Sequence, residues 1–535
     1  MKLDYSRALK SIIAEESKGN NPVPDILAFR HINKLFGNKI EEAFVLLFSQ
    51  YLNGSRKVQP LVRMDVPKAN FTIRPMARPE IEDWILFEAI VLELANRVIS
   101  KHAEVCSRSY SIKKYSVREP STNHWIDFEK KSHQLYDEGF RFAVTTDITG
   151  FYENISLEEL RRRIFNFVDN NAENRNLIEL LFKLLRRWSD ERITGYGLPQ
   201  GPVGSSFLAD LFLDNVDRKM EKHEGYFRFM DDIKIFCKRE IDAKLALRDL
   251  IIALRELKLN INAKKTDLLY EEDIPRKLFD PQSEQMTLIE DILQTQNYDL
   301  IEKTALPSLV RLFKAAFEND PLEKRHLNFS LYRLGMLHNS GFSLPVAQIK
   351  TLILTHLTSK PHHSNLFCTT LAYLGKENDI APRLLSFLKS EENIYDWQAL
   401  KVLQALLRIS WKPSQRDIDY LITITQDHTR PQVCRGFAML VIGKYGSNRD
   451  REMIVDMYRE SLDYRDKTTI ILAVQELSSA SRNDFYGRIK RESDDSLNRF
   501  VDYVKSLTNP LYFLVGDRPK IDAYKETYSD DYLNM

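Results

Sequence analysis

At 535 residues the chain is too long for one ordinary core, and 77 Lys plus Arg against 76 Asp plus Glu exclude a global basic field, leaving only a local groove for any nucleic-acid partner. No run of about 18 apolar residues occurs and no apolar signal core follows Met1, so no membrane partner is expected. The four cysteines, Cys106, Cys237, Cys368 and Cys434, lack any CxxC or Cys/His metal spacing and fit packing roles in a soluble, cytoplasmic protein.

Residues 1–60 read as helices, with Ile12, Ile13, Ile26, Leu27, Ile32, Leu35, Phe44 and Leu47 at helical spacing. Residues 66–79 change character. Pro67, Pro75 and Pro79, with Lys68, Arg74 and Arg78 and Arg63 just before, predict an extended basic segment, because proline opposes helix and the cations lack local partners. A solvated surface connection explains such a segment equally well. An amphipathic helix follows over 81–100.

Residues 140–147 form a β-like run ending at Asp147, and Ser156 with Glu158 and Glu159 marks the next helix start. Between 195 and 210, four glycines and two prolines specify a shaped loop that lets backbone approach a ligand, ahead of a helix from about Ser205 to Met220. No Gly-Lys-Ser/Thr follows, so the loop is not a Walker phosphate cradle. Phe227 to Phe236 then reads as a hairpin, two apolar arms with Asp231 and Asp232 at the tip. Paired aspartates alone are ordinary turn residues; a metal site needs a third carboxylate, and Asp147 at a strand end supplies one. A helix over 241–257 and a strand near 266–270 complete an α+β sheet expected to carry its helices on one face. From 285 to 508 only helical periodicity remains, near 306–313, 324–337, 344–358, 364–376, 379–391, 396–410, 414–426, 430–445, 449–462, 464–480 and 495–508. So long a series of paired helices predicts a two-helix-repeat solenoid, with an irregular bundle as the alternative. The acidic tail beyond 522 is expected to be partly disordered.

Three motifs in this order carry a family resemblance. Thr146-Asp147-Ile148-Thr149-Gly150-Phe151-Tyr152, Leu198-Pro199-Gln200-Gly201 and Phe229-Met230-Asp231-Asp232 resemble the first catalytic, nucleotide-pocket and paired-aspartate motifs of the reverse transcriptases, over residues 60–275. Phe229 stands where that family usually has tyrosine. The resemblance implies a fingers/palm polymerase domain over 1–280, a HEAT-like helical-repeat domain over 285–510 and a tail over 511–535. It implies Asp147, Asp231 and Asp232 as catalytic metal ligands, with the Ile148 carbonyl as a further oxygen, for two Mg²⁺ ions or Mn²⁺ in their place. Tyr152 would pack beneath the incoming sugar, Gln200 and Gly201 would shape the pocket, Lys68 and Arg74 would neutralise the triphosphate, and Lys265 would assist pyrophosphate departure. Arg78, Arg108 and Lys264 read equally as surface charges.

A polymerase core followed by helical repeats is most similar to the prokaryotic abortive-infection reverse transcriptases of phage defence. That likeness implies a homo-oligomer making single-stranded DNA from dNTPs, untemplated and attached to a tyrosine; among 23 tyrosines the priming residue is unassigned, with Tyr5 and Tyr51 lying outside the motifs. No RNase H or His/Asn nuclease set accompanies the core, which argues against an intron-mobility enzyme. The alternatives are a template-dependent, retron-like enzyme using an RNA template, and a scaffold that binds nucleic acid or a phage protein without synthesis.

Overall fold

The computed structural model describes residues 3–17, 23–26, 40–101, 121–189, 195–279, 282–318, 323–374, 379–459, 462–492, 495–512 and 520–523. Leu27, Ile32, Leu35, Cys106, Arg108 and most of the 511–535 tail lie outside them.

Helices α1 (Tyr5–Ser17) and α2 (Ile40–Asn53) precede strands β1 (Val62–Pro67) and β2 (Ile73–Arg78). The basic segment is therefore a two-stranded antiparallel hairpin, with Pro67 opposite Ile73 and Asp65 opposite Pro75. A two-stranded ribbon consists of edges, so prolines lacking N–H groups are tolerated there. Arg78, for which a surface charge was one of two equal readings, is buried: its guanidinium donates to Asp25 at 3.2 Å and lies over the Trp84 ring.

Next come α3 (Ile81–Lys101), α4 (Ser121–Asp137), β3 (Phe142–Thr146), α5 (Leu157–Phe167), α6 (Ala172–Trp188), α7 (Val203–Met220), β4 (Gly225–Phe229), β5 (Asp232–Cys237), α8 (Glu240–Arg255) and β6 (Asp267–Leu269). The four strands after α4 form one antiparallel sheet in the order β4-β5-β3-β6. Its period-two alternation sorts side chains cleanly: Val144, Tyr226, Ile233 and Ile235 face the main core, whereas Ala143, Phe227 and Phe236 join Phe128, Leu135 and Ile274 in a second core. Helix α4 thus covers the face that the sequence left bare, and Lys234 ties it to β5 through Glu129 and Ser132, both at 3.0 Å. The buried helix α7 packs against α3, α5 and α8 behind the sheet.

Beyond the sheet the described elements are helical: α9 (Asp273–Leu278), α10 (Ser283–Gln294), α11 (Leu306–Ala315), α12 (Glu323–Asn339), α13 (Val346–His356), α14 (Ser364–Tyr373), α15 (Ile380–Lys389), α16 (Asp396–Arg408), α17 (Gln415–Gln426), α18 (Gln432–Tyr445), α19 (Asn448–Val455), α20 (Tyr464–Ala473), α21 (Ser479–Glu492) and α22 (Asp495–Lys505). Alternate helices stack in a row, α14 on α16, α16 on α18, α18 on α20 and α20 on α22, starting at residues 364, 396, 432, 464 and 495. The α18–α20 approach is close enough that a Cβ on Gly443 would lie 2.1 Å from the Ala473 carbonyl oxygen.

The helical half docks on the first hairpin. Strand β1 packs on α16 and on the helical turn Pro361–His363. Tyr395 Oη donates to the Phe71 carbonyl at 2.8 Å, and Arg465 pairs with Glu80 at 3.0 Å.

Candidate active site

Strand pairing builds the site. Thr146 stands opposite Ile233, so one step further Asp147 leaves β3 beside Asp232 as the latter enters β5. Met230 and Asp231 make the turn between β4 and β5, and Met230 takes φ +53°, a conformation costing a non-glycine residue about 1–2 kcal/mol. The turn is held from beneath: the buried Arg228 guanidinium donates to the Met230 carbonyl at 3.0 Å, to Asp210 at 2.6 Å and to Asp217 at 2.8 Å, and Tyr226 Oη adds a 2.7 Å bond to Asp217.

The opposite side of Asp147 is equally fixed. Asn262 N–H donates to the Asp147 carbonyl at 2.8 Å and Thr149 N–H to the Asn260 carbonyl at 2.9 Å, so the Ile148–Ile261 bridge between them is a non-hydrogen-bonded pair and the Ile148 carbonyl points away from that segment. The exposed Lys265 ammonium lies 2.5 Å from Asp147 Oδ2, while Asp147 Oδ1 is buried with no partner.

The carboxylates crowd one another electrostatically. Burial, then the charge of Asp147, raises the Asp231 carboxyl above its ordinary value, with Arg74 and Lys265 opposing. Asp232 reaches solvent at the mouth, yet loss of hydration around its carboxyl and then the Asp231 charge push it up to about 7. Three crowded carboxylates, one with an orphaned buried oxygen, fit a hard divalent ion such as Mg²⁺. A compact His/Glu cluster lies elsewhere, at Glu323, His362 and His363.

The remaining residues wrap this centre. The half-buried Tyr152 bonds Ser206 at 3.1 Å, and burial raises its hydroxyl pKa, keeping it neutral. Leu198 N–H donates to the Tyr152 carbonyl at 2.9 Å and Ala77 N–H to the Gln200 carbonyl at 2.7 Å, so the glycine loop is stitched between that segment and β2. Gly201 takes φ +150°, and a Cβ there would lie 2.3 Å from the Ala77 carbonyl oxygen. Arg74 and Lys68 are exposed on the hairpin, Lys68 at its turn, and the Arg74 charge reaches both Asp231 and Tyr152. The structure therefore brings Asp147, Asp231, Asp232, Lys265, Tyr152 and Arg74 together, with Gln200 and Gly201 as the wall and Lys68 further out. Phe229 packs edge-on against Trp125 at 5.4 Å. The Arg228–Asp210–Asp217 network escaped sequence reading, although Arg228 shares the inward parity of Tyr226, and Asp210 and Asp217 lie two helical turns apart on one face.

An antiparallel sheet with a carboxylate at one strand end and two more at an adjacent hairpin is the arrangement a two-metal site needs, and a family comparison covers this segment. Residues 66–289 match the family described as Reverse transcriptase (RNA-dependent DNA polymerase), which supports that family for this segment. Among curated relatives, the chain is 23% identical over 226 residues to the Putative COX1/OXI3 intron 2 protein of Saccharomyces cerevisiae, covering 41% of this chain and 23% of that one. It is 24% identical over 189 residues to Protein YkfC of Escherichia coli, covering 34% of this chain and 45% of that one. The chain thus spans less than half the length of either relative. The structure of apo telomerase from Candida tropicalis, truncated from the C-terminal domain, overlaps 43% of this chain and 55% of its own at 16% identity, with a TM-score of 0.31 that is too low to argue from. No helix among the described residues is long and apolar enough to cross a membrane.

Proposed function

We infer that the chain is a nucleotidyltransferase that makes DNA from dNTPs on Asp147, Asp231 and Asp232. The observation carrying this reading is the pairing register that sets Asp147 against the Asp231–Asp232 turn, with the Asp147 Oδ1 oxygen unpartnered. Two Mg²⁺ ions held there, with the Ile148 carbonyl as a further oxygen, would supply Lewis-acid activation of the attacking hydroxyl and charge neutralisation on the phosphates. Tyr152, neutral and locked on Ser206, forms the floor under the sugar and excludes a 2′-hydroxyl. Gln200 and Gly201 shape the base side of the pocket. Arg74 and Lys68 take the triphosphate, and Lys265, exposed beside Asp147 Oδ2, would meet the departing pyrophosphate.

The same reading assigns the protein to phage defence, with untemplated synthesis primed by a tyrosine in a homo-oligomer; the succession of palm and helical stack supports it. The stack repeats about every 31–36 residues, a two-helix solenoid shorter in period than HEAT repeats. Tyr5 and Tyr51 are poor primers, since both are buried, at 3% and 0% exposure. Among the described tyrosines Tyr270 and Tyr298 are exposed, and Tyr270 follows β6 at the end of the sheet away from Asp147.

Purified protein with labelled dNTPs and Mg²⁺, with and without RNA, tests this. Label migrating with protein and released by DNase is expected, and Asp147→Asn or Asp231→Asn should lower incorporation about 10²-fold or more. Free, template-dependent product would replace the untemplated version with a retron-like enzyme. No product, together with an Asp231→Asn variant that retains biological activity, would leave a binding scaffold.

A further inference from the structure

The polymerase-like motifs end near residue 275, and the helical half packs directly against the hairpin that carries Arg74. The β1–β2 hairpin bearing Arg74 packs against the Pro361–His363 turn, and that turn is bound to the first residue of α12: His363 Nε2 lies 2.9 Å from Glu323, and Lys360 Nζ lies 2.7 Å from it. The next residue, Lys324, reaches solvent at this junction. Glu323 is already engaged by His363 and Lys360, and among the described residues neither Lys324 nor Arg74 has a carboxylate partner. Arg74 has only the more distant charge of Asp231 to offset it, and Lys324 and Arg74 repel each other, so their approach adds nothing to stability. Such an arrangement is retained where a ligand brings the negative charge.

We propose that Lys324, supplied by the helical half, joins Arg74 in binding the triphosphate of the incoming nucleotide, so that the pocket is complete only when α12 is docked on the hairpin. This rests on the polymerase reading for the identity of the nucleotide. The electrostatics agree: loss of hydration and then the Arg74 charge lower the Lys324 ammonium to about 8, and a bound phosphate reverses that penalty.

Equilibrium binding of a dNTP, and separately of inorganic tripolyphosphate, to the full chain and to Lys324→Ala and Lys324→Arg, alongside steady-state kinetics, tests the proposal. Lys324→Ala should weaken both ligands and raise KM for dNTP about tenfold or more, with kcat changed far less and Tm no lower than wild type. Lys324→Arg should restore most of the binding. Unchanged affinity in Lys324→Ala overturns the proposal, as does unchanged KM with altered salt dependence of strand binding, which would move Lys324 to a strand phosphate. A wild type that binds tripolyphosphate through Lys324 but makes no DNA would sink the polymerase reading and leave this anion site standing; no binding of either ligand overturns the site.

Discussion

At the residue scale, the site depends on positions where one substitution meets a fixed obstacle. In Gly201→Ala the new methyl would overlap the Ala77 carbonyl oxygen, so the loop must leave β2; about 1–3 kcal/mol of stability and most nucleotide binding should be lost. Unfolding midpoints and dNTP affinity measured on the one variant check this, and a wild-type affinity would contradict it. In Arg228→Ala, Asp210 and Asp217 remain buried without their cation, an outcome that costs about 3–5 kcal/mol in comparable cases. Urea denaturation reads the loss; a change under about 1 kcal/mol would mean the network does not brace the Met230 turn. The aspartates were legible because turn chemistry and strand alternation are local properties. Arg78 was left between two readings because its partner, Asp25, is 53 residues away, and no local pattern encodes a long-range ion pair.

At the element scale, helix boundaries followed apolar spacing closely, as at α3, α7 and the helices of the second half. Exceptions are α10, which no expected segment covered, α19 and α20, which end seven residues before the expected 462 and 480, and α21, whose sequence from Ser479 to Glu492 is too polar to show a stripe. The first hairpin was legible only as extended chain, since its pairing is set by register. Its junction with α12 has a pH dependence. Burial, then the neighbouring His363 charge, lowers His362 to about 4, and bonds from His363 and Lys360 outweigh desolvation to hold Glu323 at about 2. Both groups bind protons less readily when folded than unfolded. Stability therefore falls as pH drops, through about 6.5 to 4 for His362 and about 4.5 to 2 for Glu323. The His362 share between pH 7 and 5 is of order 2 kcal/mol. Thermal melts at the two pH values should separate, and His362→Phe should shrink the gap; an undiminished gap would place the sensitivity elsewhere.

At the scale of the whole molecule, one apolar core includes residues of the sheet, the N-terminal segment and the helical stack, and Ile26 of the N-terminal segment presses against Gly436 of the stack. The order of parts was readable from periodicity. Their docking was not, because Tyr395 and Phe71 are separated by 324 residues and meet only through the fold. Phe71 itself takes φ +62°, so the hairpin turn is a strained bend, and its carbonyl is held to the stack by Tyr395 while β1 packs on the helices behind it. In the helical stack each helix of the row touches mainly the next one, so the row's contact with β1 is made by its own few members. Lys68 and Arg74 ride on that hairpin, so on the proposed polymerase reading any shift of the stack against β1 would carry the two triphosphate-side cations with it.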